Sequence, residues 1–148
     1  MIYTFGMRLF LSTAIVLSLS MVPALAQVSV RLERLQMIFD GNVYGAVFVK
    51  HCDKRPITDY PVYIENAQAT MLALAEEMMV AGRGILTPEQ IEKSIRERQR
   101  DGERAMDDFY KKNGCETKQA ASAKKHFDMF NDTSPEQMDE FLADVENR

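Results

Sequence analysis

Apolar residues recur at three- and four-residue intervals over most of the chain, the spacing of helix faces turned toward a core. In the segment 28–50 the stripe is Leu32, Leu35, Phe39, Val43 and Ala46. The same segment also carries Val28-x-Val30-x-Leu32 alternation and an Asp40-Gly41-Asn42 turn signal, so a β-hairpin is the alternative to a helix there. Pro61 to Ala81 is apolar around most of a helical wheel, as in a helix held between neighbours. Ile64, Ala67, Met71, Leu74, Ala75 and Met78 form its expected core face, Glu65, Glu76 and Glu77 the strips that reach water, and Gly82 a left-handed stop. Thr87-Pro88-Glu89-Gln90 is a capping box with proline at the first helical position. The helix it opens is expected to run to Asn113 and to stop at Gly114, with Ile91, Ile95, Met106 and Phe109 as a thin apolar seam. Two shorter helices follow, one with the stripe Ala120, Ala123, Phe127 and Phe130. The other opens at Ser134-Pro135-Glu136-Gln137 and carries Met138, Phe141, Leu142 and Val145. The expected fold is an all-α bundle of four to five helices, with an N-terminal hairpin packed on helices as the alternative.

The first 26 residues do not fit this scheme. Arg8 precedes an apolar run, Leu9 to Leu19, then Pro23 and the small-residue site Ala24-Leu25-Ala26 before Gln27. That is the layout of a secretory signal peptide, whether the start is Met1 or Met7. The expected organisation is therefore a leader, 1–26, and a single helical domain, 27–148. Losing the leader removes one arginine and no acid, so the net charge moves from −4 to −5. An acidic balance argues against a nucleic-acid partner. No remaining apolar stretch is long enough to cross a bilayer, so stable membrane insertion after cleavage is not expected. The expected location is periplasmic or secreted.

Export changes the meaning of the two cysteines. In an oxidising compartment Cys52 and Cys115 are expected to form a disulfide that staples the bundle. His51 beside Cys52 suggests a thiol nucleophile, but neighbours in a chain usually point apart. Two cysteines and two histidines also lack the spacing of a zinc site. Seven methionines in residues 27–148 suggest thioether chemistry with Cu(I), against which core filling is the stronger account, with Met71, Met78 and Met106 on helix stripes.

From Thr87 to Gln119 there are eight acids and eight bases. Glu89/Lys93, Glu92/Arg96, Asp107/Lys111 and Asp108/Lys112 stand in the favourable order for pairs along a helix. Arg98 breaks the pattern: with Gly102 it falls inside the apolar seam. Its head either snorkels outward over a packed stem or meets an internal acid (Glu65, Glu76 and Asp53 are the candidates), an anion or a partner protein. A glycine at position 102 lets a neighbouring element come close.

No phosphate loop, nucleophile elbow or metalloprotease motif occurs. The expectation is a non-enzyme with no catalytic residues and no cofactor or metal ligands. An exported, cysteine-stapled helical outline resembles acid-stress chaperones and immunity proteins only in architecture, and no motif assigns either. The expected function is that of a protein-interaction module acting as inhibitor, immunity factor or chaperone. A small-ligand or metal-binding carrier is the alternative.

Overall fold

The computed structural model describes residues 22–82 and 85–145. Five α-helices follow in order: α1 (Val22–Phe48), α2 (Pro61–Gly82), α3 (Pro88–Asn113), α4 (Lys118–Asp132) and α5 (Pro135–Ala143). Most of the expected leader lies outside the described residues, and α1 runs across the expected cleavage site. A wide π-turn, Val49–Asp53, closes α1, and Lys54 in the left-handed region (φ 55°) redirects the chain toward a short 3-10 turn, Ile57–Asp59. The all-α bundle with one disulfide is thus the fold, and no strand occurs among the described residues.

The hairpin alternative fails at Gly41. Leu35, Phe39, Val43 and Val47 are all buried at helical spacing along α1. Gly41 lies in this helix because α4 leaves no room for a side chain: a Cβ there would sit 2.7 Å from His126 Nδ1. One turn on, a Cβ at Gly45 would sit 3.0 Å from the backbone nitrogen of Phe127. The two glycines let α1 and α4 pack closely.

The helix starts follow their caps. Thr87 and Ser134 each accept a hydrogen bond from the backbone three residues on, while Gln90 and Gln137 accept one from the cap's own N–H. Thr117 accepts from the Ala120 N–H and opens α4. Gly114 stops α3 at φ 71°, its N–H donating to Tyr110 O. Gly82 does not take the expected left-handed form; it ends α2 with its carbonyl accepting from Ile85 N–H at 2.8 Å.

Helix α1 is the central element, with α2, α3 and α4 against it and α5 against α2. The aromatic heart lies between α2 and α4, where Tyr63 stacks on Phe127 at 5.0 Å and Tyr60 meets the same ring edge-on at 4.8 Å. Tyr63 donates its hydroxyl to Asn42 O on α1, and burial pushes its phenol pKa well above the ordinary value. Two arginines of α1 hold the end of the chain. Arg34 donates to Val145 O at 2.8 Å, and Arg31 lies within reach of the Leu142 and Ala143 carbonyls. Guanidinium groups at these carbonyls complement the negative end of the α5 dipole.

The buried line of α2 departs from expectation. It consists of Tyr63, Asn66, Thr70, Leu74 and Glu77, three of them polar. Asn66 donates to Phe130 O and Thr133 O at the end of α4, and Thr70 donates to Asn66 O. Glu77 is buried rather than on a water-facing strip, and it pairs with Arg31 at 2.9 Å. These partners turn the polar line inward, so part of the apolar circumference of α2 faces out.

Candidate functional site

Turning the polar line of α2 inward leaves Met71, Leu72, Met79 and Val80 exposed, and Ile85 and Leu86 beyond the helix are exposed too. Leu72 and Val80 keep about three-fifths of their surface and Ile85 keeps 83%. Isolated exposed apolar residues are ordinary, but a contiguous set is not. Two of them, Met71 and Met79, line a trough of about 490 Å³ between α2 and α3. Its floor is Met71, Ala75 and Met79 from α2, with Pro88, Ile91 and Ile95 from α3. Glu92 and Arg96, hydrogen-bonded to each other, and Gln99 form the polar rim. The trough arises because the seam of α3 is thin: Ile91 and Ile95 are buried, and their neighbours on either side are polar or charged. It is an open, apolar, methionine-bearing cleft suited to another apolar surface.

Arg98 lies away from the trough, where α3 meets α1. It donates through Nε and Nη2 to both carboxylate oxygens of Asp40, each at 2.7 Å. None of Glu65, Glu76 and Asp53 is its partner; the acid comes from α1. The side chain stays 41% exposed, so its stem packs while the fork closes at the bundle edge. The hydrogen bonds to Asp40 raise its pKa above the ordinary guanidinium value. Gly102 provides the close approach, since a Cβ there would sit 3.2 Å from Val43 Cγ1. An ion pair this open to solvent is strongly screened, so Arg98→Ala should cost about 1 kcal/mol in denaturant unfolding. Arg98→Met should cost less, because it keeps the stem. Arg100→Ala on the solvated face should be within about 0.5 kcal/mol of the unaltered protein. A loss several times larger at Arg98 would mean that the pair carries buried charge.

The disulfide joins Cys52, in the π-turn after α1, to Cys115, just past α3, with 5.7 Å between their Cα atoms. Beside it, His51 Nε2 lies 2.6 Å from Asp107 Oδ1, and Lys50 Nζ lies 3.0 Å from the same oxygen. The imidazole hydrogen bond, reinforced by Lys50, holds the Asp107 carboxyl below the usual carboxylate range. His51 also stacks on Tyr110 at 5.4 Å. An imidazole oriented by a carboxylate is half of an acid–base relay, but the adjacent Cys52 sulfur is bonded to Cys115 and is not a nucleophile. The cluster ties the end of α1 to α3. Asp107 therefore does not pair with Lys111, which meets Asp108 instead at 3.6 Å.

Sequence reasoning missed the trough because it placed Met71 in the core. It also missed Asp40, because a helical wheel shows a residue's direction and not what waits there. Compared with protein-family models, curated proteins and solved structures, the chain matches none.

Proposed function

We propose that the protein is exported and works in the periplasm or outside the cell by binding another protein, whose amphipathic helix seats in the trough between α2 and α3. The observation that carries this reading is the apolar trough walled by exposed Met71 and Met79, together with the exposed Leu72 and Val80 of the same helix and Ile85 beyond it. A trough between two helices of a hairpin is completed by a third helix laid along it. Met71 to Met79 spans about 12 Å of α2, enough for the apolar face of roughly two to three helical turns. The thioethers of Met71 and Met79 adapt to the shape of an incoming side chain. Because the cleft is open to solvent and further apolar side chains, Leu72 and Val80, are exposed on the same helix, a polymer segment suits it better than an enclosed small molecule. The reading fits an inhibitor, an immunity factor or a chaperone, each of which meets a partner through such a surface. Export rests on the Arg8–Leu19 and Ala24-Leu25-Ala26 pattern, and the disulfide is compatible with it.

A photo-crosslinking amino acid at position 72 or 80, in cells producing the exported protein, tests the surface. A discrete adduct at these positions, absent with the crosslinker at Arg100 and lost in the Met71→Glu variant, is the expected result. Equal adducts at all three positions, or an adduct indifferent to Met71→Glu, would overturn the reading. The intact mass of the same material should correspond to a chain starting at Gln27.

A further inference from the structure

A second concavity, of about 380 Å³, opens between α1, α4 and the end of α5, on a different set of residues from the trough. Met37 of α1 and His126 and Met129 of α4 all line it. Both methionines are surface residues: Met37 is 59% exposed and Met129 37%. Core filling, which accounts for Met138 and much of Met78 and Met106, does not account for these two. His126 makes no hydrogen bond among the described residues, so its imidazole is not held by a polar partner. We propose that Met37, His126 and Met129 form a thioether–imidazole site for the soft monovalent ion Cu(I).

The placement follows from the packing of α1 on α4. His126 and Met129 are three residues apart on α4 and share a face one turn apart. Gly41, one turn beyond Met37 on α1, is where the imidazole rests. The nearest ring atom to a Cβ built there would be Nδ1, at 2.7 Å, so that edge of the ring is turned against α1. Nε2, on the other side of the ring, is the nitrogen left for a ligand. The two methionines line the same concavity from different helices, and their flexible side chains allow sulfur to be turned toward it.

The donor set decides the metal. Two thioethers and one neutral imidazole are soft, uncharged ligands, the combination that favours Cu(I) over hard oxygen-seeking ions. Among the described residues no carboxylate lines the concavity, whose other walls are Ile38, Phe141 and Val145 with Arg34. Uncharged soft donors, with a guanidinium at the edge, are unfavourable for Ca²⁺ or Mg²⁺ and suit a singly charged soft ion better. The guanidinium of Arg34 is itself engaged by Val145 O at 2.8 Å. Both cysteines are bonded to each other, so no free thiolate competes with the thioethers for the ion.

The test is anaerobic titration of the purified protein with Cu(I), kept reduced by ascorbate, in competition with the chromogenic chelator bicinchoninate. One Cu(I) per chain should be withdrawn from the chelator. Met37→Leu, Met129→Leu and His126→Gln should each weaken binding by about tenfold or more. Met71→Leu, which removes an exposed thioether on α2, should leave it unchanged. Titrating the unaltered protein with Ag(I), a redox-inert stand-in, should shift the NMR methyl signals of Met37 and Met129 before those of Met71 and Met79. This arm does not depend on how any variant folds. Failure to compete with the chelator, an equal loss in Met71→Leu, or methyl shifts spread over all exposed methionines would overturn the site.

Discussion

Asn66→Asp should destabilise the protein by roughly 3–5 kcal/mol, the range for stranding an unpaired charge in an interior. The Asn66 side chain is wholly buried and donates from Nδ2 to Phe130 O at 2.6 Å and to Thr133 O at 2.9 Å. A carboxylate would aim an anionic oxygen at two carbonyl oxygens, turning two attractions into two repulsions with no water to screen them. The size of the side chain hardly changes, so the loss would isolate the electrostatics from packing. Asn66→Ala should fall between, at about 2 kcal/mol, because it abandons the carbonyls without opposing them. Gln68→Glu, the same chemical change two residues away on an exposed position, should stay within about 0.5 kcal/mol of the unaltered protein. Urea unfolding of the three variants decides the point. If Asn66→Asp matched Gln68→Glu, Asn66 would not be the group that fastens α4 to α2.

Replacing both cysteines with serine should lower stability by about 4 kcal/mol, the chain-entropy value for a loop of this length. The two residues are 63 positions apart, and the loop they close contains α2 and α3 entire. Most of this effect lies in the denatured chain, which regains freedom that the link had removed. The folded state keeps the neighbouring Asp107 contacts with His51 and Lys50. The double variant and the reduced parent protein should therefore unfold at matching urea concentrations. Without reductant, the unfolded parent should take up no alkylating reagent, and two alkyl groups per chain would show the bridge to be missing.

The features legible in the sequence are those whose cause is local. Thr87 and Ser134 announce their helices because a cap and its glutamine partner are only three residues apart. The Ala120, Ala123, Phe127 and Phe130 stripe faces the core as its spacing requires, since nothing on the opposite side of α4 competes with it. Helix α2 is the contrary case. It is apolar on nearly every side, so hydropathy alone cannot choose which side is buried. The choice falls to Asn66, whose acceptors are 64 and 67 residues away, and to Glu77, whose arginine is on α1. These polar groups point inward because their partners are there, and Leu72 and Val80 are left outside as a result. The same applies to the candidate sites. Met37 and Met129 are far apart in the chain, and Gly41 looked like a turn until α4 was laid across it.

The position of the disulfide gives α3 one tethered end and one free end. Its C-terminal half is fastened to the end of α1 through Asp107 and, just past the helix, through Cys115, while no covalent link holds its Pro88 end to α1. A transient opening that keeps the covalent link cannot carry Cys115 away from Cys52, so the Asn113 end of the helix has less room to move than the Pro88 end. Ile91 and Ile95, the α3 wall of the trough, lie in the freer half. Amide hydrogen exchange should accordingly be faster around Ile91 and Ile95 than around Tyr110, with the staple acting as the fulcrum.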